Sequence, residues 1–424
     1  MNTYLPGSDG YEAHRKPLRA DLDPRPAMVV EAFNAQDVRR AVLTARGAGL
    51  PFAVQSTGHG THVAADGALL LKTSAMGTVL VDPVRRVARV GAGARWGAVL
   101  EAAAPFGLAP LSGSSKDVGV VGYTVGGGMG WLARRHGFAA DSVLRAEVVL
   151  ADGRVVVAGR DQYPDLFWAL MGGGGNYGVV TALEFQLFEI PSVVAGTVSF
   201  SRDNAAETLA AYSDWAAGVP DSMSTAVVLR GDELVIKAMY TGPAASAKRL
   251  LRPLWRVAGR PVASDMRQMR YADAAMGGTA ARYFDYFKAV PTSLADITDA
   301  TVEVRHWAGA MSASQSAVGH RTMPFSVIVD NAASASAVGL SGEGGAFLNF
   351  LGDPTQTRRA YTADNYRRLV AAKRFYDPDN FFGMTHNIDP RTTAQETRAA
   401  RSVSRGLRAG RRPRLAATPH PVAA

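Results

Sequence analysis

Between residues 27 and 55 the spacing of apolar positions changes twice. Met28 to Glu31 is a short apolar run. Val38, Ala41, Val42 and Ala45 then recur at the i, i+3, i+4, i+7 spacing of one helix face, opening near Asn34. Gly47 and Gly49 stop that helix, and Phe52 to Gln55 is apolar again. The pattern predicts a βαβ unit. Short strands follow around Thr78 to Val81 and Arg86 to Val90, turning at Asp82-Pro83, then a helix with Trp96, Val99, Leu100 and Ala103 on one face. Ala146 to Leu150 and Arg154 to Ala158 flank Asp152-Gly153, whose glycine suits the positive φ of a tight hairpin. A helical segment, Asp165 to Met171, precedes a strand through Val180, Ala182, Glu184 and Gln186.

After Pro191 the texture changes. Strands at 193–200, 225–229, 234–240 and 301–307 are expected to alternate with helices at 204–216 and 244–257. From Tyr361 a helix with Tyr366, Leu369 and Val370 on one side ends at Asp377-Pro378-Asp379-Asn380, and Phe381 to Pro390 reads as extended chain. The expected organisation is α+β. It has an N-terminal domain over 1–192, a second domain with a broad sheet over 193–358, a return to the first domain over 359–390, and a tail over 391–424.

Composition narrows the function classes. The chain has 424 residues, 47% of them hydrophobic and 20% charged, which suits a globular protein of two domains. No apolar stretch approaches the roughly 18 residues that span a bilayer, and the first residues lack a basic segment followed by an apolar one. A cytoplasmic protein without a membrane partner is expected. The net charge of +9 suggests nucleic acid until it is located. Residues 391–424 hold eight arginines and one glutamate, +7, so the other 390 residues carry +9 − 7 = +2. That tail, rich in Ala, Arg, Ser and Pro, has the composition of a disordered extension, and the body has no nucleic-acid footprint. Oligomeric state is left open.

Two Gly-rich segments about fifty residues apart carry the candidate chemistry. The first is Gln55-Ser56-Thr57-Gly58-His59-Gly60, at the carboxyl end of an expected strand. The second runs from Gly113 through Ser115, Val118, Gly119, Gly122 and Tyr123 to Gly126-Gly127-Gly128-Met129-Gly130. Glycine gives up the most conformational freedom on folding, so such loops suit places where main chain must approach a ligand, as in a phosphate cradle. Residues 173–178 match G-x-G-x-x-G, but a helix precedes them and a strand follows, the reverse of a dinucleotide fingerprint. His59 and His62 stand three apart without further ligands nearby, so no metal is expected.

Taken together, these segments resemble the FAD-linked oxidoreductases of the vanillyl-alcohol-oxidase superfold, in the berberine-bridge-enzyme-like branch. The likeness rests on 56–60, on 118–130, on Gly175-Asn176-Tyr177-Gly178-Val179-Val180-Thr181 and on Asn365 through Asp377-Pro378-Asp379-Asn380-Phe381 to His386-Asn387-Ile388. It implies a split FAD-binding domain, a substrate domain, and a cofactor held by Gln55, Ser56, Thr57, Gly58 and Gly60. Ser115, Val118, Gly119, Gly122, Tyr123, Gly126, Gly127, Gly128, Asn176, Gly178, Val180, His386 and Asn387 complete the implied set. It also implies a covalent bond from His59 to the flavin. Many members add a second bond from a cysteine at the position of Ser115; this chain has no cysteine, so a singly attached flavin is implied. Carbohydrate-oxidising members use a tyrosine where Phe347 stands in Phe347-Leu348-Asn349-Phe350, and phenylalanine accepts no proton. Val118 falls where members with an open oxygen pocket carry valine.

The resemblance implies an oxidase that takes hydride from a C–H bond beside oxygen or nitrogen of a small metabolite in bacterial secondary metabolism. Electrons would pass to O2, giving H2O2. The expected strand 301–307 puts Glu303, Arg305 and Trp307 on one face and His306 on the other, so Glu303 and His306 are candidate bases, although an ion pair of Glu303 with Arg305 competes with that role. Two rivals stand beside the oxidase: a reductase fed by a nicotinamide cofactor, for which no fingerprint is visible, and a flavin-containing protein that binds or cyclises a natural product.

Overall fold

A computed structural model describes residues 1–392; positions 393–424, nearly all of the basic tail, lie outside the described residues. The helix Ala35–Gly47 forms as its spacing predicts, with Val38, Ala41, Val42 and Ala45 fully buried and the Asn34 side chain accepting from the Asp37 amide. Such a cap contributes about 1 kcal/mol, and each buried valine about 1.5–3 kcal/mol. The strands on either side, Met28–Glu31 and Phe52–Gln55, are parallel but not neighbours. Leu69–Lys72, absent from the expected elements, lies between them and pairs parallel with both. Asn2–Tyr4 completes this four-stranded sheet on its antiparallel edge.

A five-stranded antiparallel sheet follows, in the order Val79–Asp82, Val87–Gly91, Val179–Gln186, Val143–Val149, Val155–Gly159. Gly153, at φ +81°, makes the expected hairpin turn. The helix Pro164–Gly173 packs against the late helix Ala363–Tyr376, which brings the C-terminal part of the chain back to the first half. The segment 381–390 adds no strand; it is held by the turn at Asp377 and by side-chain bonds from Asn176.

The largest sheet has eight strands. It includes Val193–Ser201, Met223–Arg230, Glu233–Tyr240 and Val302–His306, as the sequence predicts, and also Tyr283–Phe287 and Phe325–Val329, which it does not. Helices Ala205–Ala217 and Ala244–Ala258 cover one face, where Leu209, Tyr212 and Leu254 share a core with Val302 and Val304. The other face meets the first half through Phe284, Tyr286, Trp307 and Phe347, packed on Phe138. Glu303 and Arg305, by alternation, lie on that second face.

Candidate active site

The two Gly-rich loops come together. Ser56 Oγ donates to the Ala92 carbonyl, and a Cβ added to Gly119 would sit 3.3 Å from the Thr57 side chain. Gly58 has φ +84°, and a Cβ there would lie 2.8 Å from Gln55 Nε2, so this turn accepts glycine alone without strain. Between the loops and the large sheet lies a cavity of about 670 Å³. Gln55 to Gly60, Ser115, Val118, Gly119, Gly122, Tyr123, Gly126, Gly178, Val180 and His386 line it, as expected of a ligand site.

The other residues implied as cofactor contacts stand behind this wall and hold it. Gly128 N donates to Asn349 Oδ1 at 2.9 Å, and Asn349 Nδ2 donates to the Tyr123 carbonyl at 3.1 Å. Gly127 abuts Val318 and Phe347. Asn176 is fully buried, donates to the Gly173 and His386 carbonyls and accepts from Ile388 N. Asn387 Oδ1 is buried without a partner among the described residues and is not on the cavity wall. Tyr177 is likewise structural, its hydroxyl donating to the Leu369 carbonyl. Beneath this segment Lys373 and Asp377 form a fully buried ion pair at 2.6 Å. Lys373 Nζ also donates to the Asn176 carbonyl, and Asp377 accepts from the amides of Phe381 and Phe382.

His59 lies on the cavity wall with Nδ1 2.9 Å from Thr57 Oγ1. Partial burial and then Arg95 lower its pKa, so the imidazole is neutral at pH 7 with a lone pair available. Glu303 and His306 do not line the cavity. Glu303 is fully buried, accepts from Arg305 Nε at 2.6 Å and from Thr279 N at 2.9 Å, and has Lys237 at 3.8 Å. Burial pushes its pKa up, but Arg305 and Lys237 outweigh that and hold it below the ordinary carboxylate range. His306 Nε2 lies 2.8 Å from Arg134 Nη1 and accepts from it, while burial and that guanidinium drive its pKa down to about 3. Glu303 is turned to this network, and His306, whose Nδ1 has no partner among the described residues, lines a separate small pocket with Ser114, Met129 and Arg305. Phe347, Asn349 and Phe350, from the segment that the resemblance pointed to, reach the wall, and so do Arg305 and the loop Gly278-Thr279-Ala280, which were not expected there.

The geometry matches what known proteins share with this chain. A family model described as FAD binding domain matches residues 26–159, and one described as berberine and berberine like matches 346–389. The (R)-6-hydroxynicotine oxidase of Paenarthrobacter nicotinovorans is 28% identical over 427 residues, covering 86% of this chain and 92% of that protein. A crystal structure of 6-hydroxy-D-nicotine oxidase from Arthrobacter nicotinovorans superposes with TM-score 0.83 at 25% identity, over 92% of this chain and 98% of the other. The chain thus joins an FAD-binding domain to a berberine-like segment, on the fold of the vanillyl-alcohol-oxidase type of FAD-linked oxidoreductases. The glucooligosaccharide oxidase of Sarocladium strictum is 33% identical over 251 residues, which are 57% of this chain and half of that protein. A glucooligosaccharide oxidase structure from Acremonium strictum, described as carrying 6-S-cysteinyl, 8α-N1-histidyl FAD, shares the fold with TM-score 0.82 at 22% identity, over 92% of this chain and 97% of that one.

This flavoenzyme's cavity fits an FAD. Gly60, Gly122 and Gly175 line it with nothing within 4 Å of where a Cβ would stand, so bare backbone faces the space. His386 Nε2, on the same wall, is buried without a partner among the described residues. Loops 55–60 and 113–122 would hold the pyrophosphate by their amides. Among the described residues no helix is long and apolar enough to cross a membrane.

Proposed function

We propose that the protein is an FAD-dependent oxidase of a small amine, removing hydride from the carbon beside nitrogen and passing the electrons to O2 with H2O2 as product. One observation carries this reading: among the described residues, no aspartate or glutamate lines the cavity. Loss of hydride from an alcohol requires its hydroxyl proton to be taken by a base. Glu303 is committed to Arg305 and Lys237, His306 Nε2 to Arg134, and Phe347 offers no acceptor. Of the histidines on the wall, His59 is the attachment site, and burial lowers the pKa of His62 and drives that of His386 down to about 4, which leaves both weaker bases than a free imidazole. An amine in its free-base form needs no such group, because its own lone pair stabilises the carbon that loses hydride. The likeness to (R)-6-hydroxynicotine oxidase, whose name specifies an amine, supports the same choice.

Bound FAD supplies the hydride acceptor and the route to O2. The chain's part is to bind it through the two loops, to attach it through the neutral His59, and to keep the reacting end dry with Phe347, Phe350 and Met129. With no cysteine, attachment through one histidine is the reading the chemistry supports. The deciding experiment is anaerobic mixing with a panel of secondary and tertiary amines and a matched panel of alcohols and oligosaccharides. Bleaching of the flavin by amines, reversed by air with release of H2O2, is expected. Bleaching by alcohols alone overturns the reading.

A further inference from the structure

Arg305 is a buried cation with unused hydrogen-bonding capacity. Its side chain is 8% exposed and it lines the cavity. Nε donates to Glu303, and the guanidinium carbon lies 5.1 Å from the centre of the Phe350 ring, which fixes its plane. Its two Nη groups have no hydrogen-bond partner among the described residues. Nη2 lies beside Gly278, where a Cβ would stand 2.8 Å away, so the glycine leaves this end of the fork open. The same loop steadies the pair from the other side, since Thr279 N donates to Glu303.

The charges do not balance. Arg305 and Lys237 face one carboxylate, Glu303, which leaves one positive charge, and the cavity wall holds no acid to match it. Arg134 is not part of this sum, because Asp221 and backbone carbonyls satisfy it. A buried guanidinium with a free, planar pair of donors is built for a bidentate partner with two oxygens.

We propose that Arg305 binds a carboxylate of the substrate, so that the enzyme's substrates are amines that also carry a carboxylate. The assignment rests on the amine-oxidase reading for the amine, and on Arg305 alone for the acid. Bound in this way, the carboxylate anchors one end of the molecule on the strand Val302–His306 and leaves the carbon beside nitrogen free to be presented to the cofactor.

The test uses the oxidised holoenzyme and needs no turnover. Benzoate and its neutral analogue benzamide are titrated while the flavin absorbance and the melting temperature are followed. Benzoate is expected to perturb the flavin band and raise the melting temperature, and benzamide to bind about 10- to 100-fold more weakly, as befits loss of a charge-assisted pair. Arg305→Lys should weaken benzoate and spare benzamide. Because Arg305→Met strands a buried carboxylate, the paired variant Glu303→Gln/Arg305→Met, which removes both charges, serves as the deletion and should erase the preference. Equal affinity for the two probes in the parent overturns the proposal. So does unchanged benzoate affinity in the paired variant, above all if its flavin spectrum shifts without ligand, which would assign the guanidinium to the cofactor. If benzoate binding requires Arg305 but amines fail to bleach the flavin, the amine reading falls and the carboxylate site stands.

Discussion

Replacing Lys373 by methionine separates charge from packing at the pair that holds the C-terminal segment in place. Both side chains are fully buried, and the ammonium reaches Asp377 and the Asn176 carbonyl. Methionine keeps most of the volume and removes the charge. Asp377 then retains the Phe381 and Phe382 amides but loses its counter-ion, and stranding a buried carboxylate costs about 3–5 kcal/mol. That is a fifth or more of the roughly 5–15 kcal/mol by which most proteins are stable. Denaturant unfolding of the FAD-loaded protein, followed by far-ultraviolet circular dichroism and by flavin fluorescence, measures the loss. The flavin signal of the variant is expected to be lost at lower denaturant along with the fold, because Asn176, which Lys373 holds, positions His386 and Ile388. A gap between parent and variant below about 1 kcal/mol, the scale of an exposed pair, refutes the reasoning.

Peptide mass spectrometry should find the flavin on the peptide containing His59, and His59→Ala should leave a cofactor that acid releases completely. His306 has a folded pKa of about 3, below its unfolded value, so the unfolded chain binds the extra proton as pH falls from about 6.5 and stability drops through that window. His306→Asn should lower the slope of stability against pH near pH 5 by about 1.4 kcal/mol per unit, and an unchanged slope counts against a buried neutral imidazole. Val118→Leu should slow reoxidation by O2 much more than anaerobic reduction in stopped flow; equal effects remove Val118 from the oxygen path. Glu303→Gln keeps an acceptor for Arg305, so the pH profile of flavin reduction should retain its shape; loss of a limb would make Glu303 the base after all.

What the sequence made legible follows the reach of each signal. Ala35–Gly47 could be read because its period and its Asn34 cap are local. Leu69–Lys72 and Phe325–Val329 are buried on both faces, so they show no alternation and pass for loop or helix fragments. The cavity wall from Gln55 to Gly126 was legible from its glycines, since bare backbone is a property of sequence. The ion pair of Glu303 with Arg305 was visible as neighbours on one strand face. That Arg305 also looks into the cavity was not, because this depends on where the loop Gly278-Thr279-Ala280 and Phe350 meet the sheet. Asn349 and Gly128 are paired across more than two hundred residues, and no local pattern marks such a bond.

That long-range closure has a consequence for how the protein is made. Chains emerge from the ribosome N-terminus first, at about 5–20 residues per second. The loops bearing His59 and Gly119 are synthesised well before Asn349, Phe350 and His386, which follow more than two hundred residues later. A nascent chain therefore displays a half-built, apolar trough to its surroundings for most of its synthesis. Loading with cofactor is then an event of the completed polypeptide, and a cell short of riboflavin would accumulate full-length chains with an open cleft, the form most exposed to proteases and chaperones.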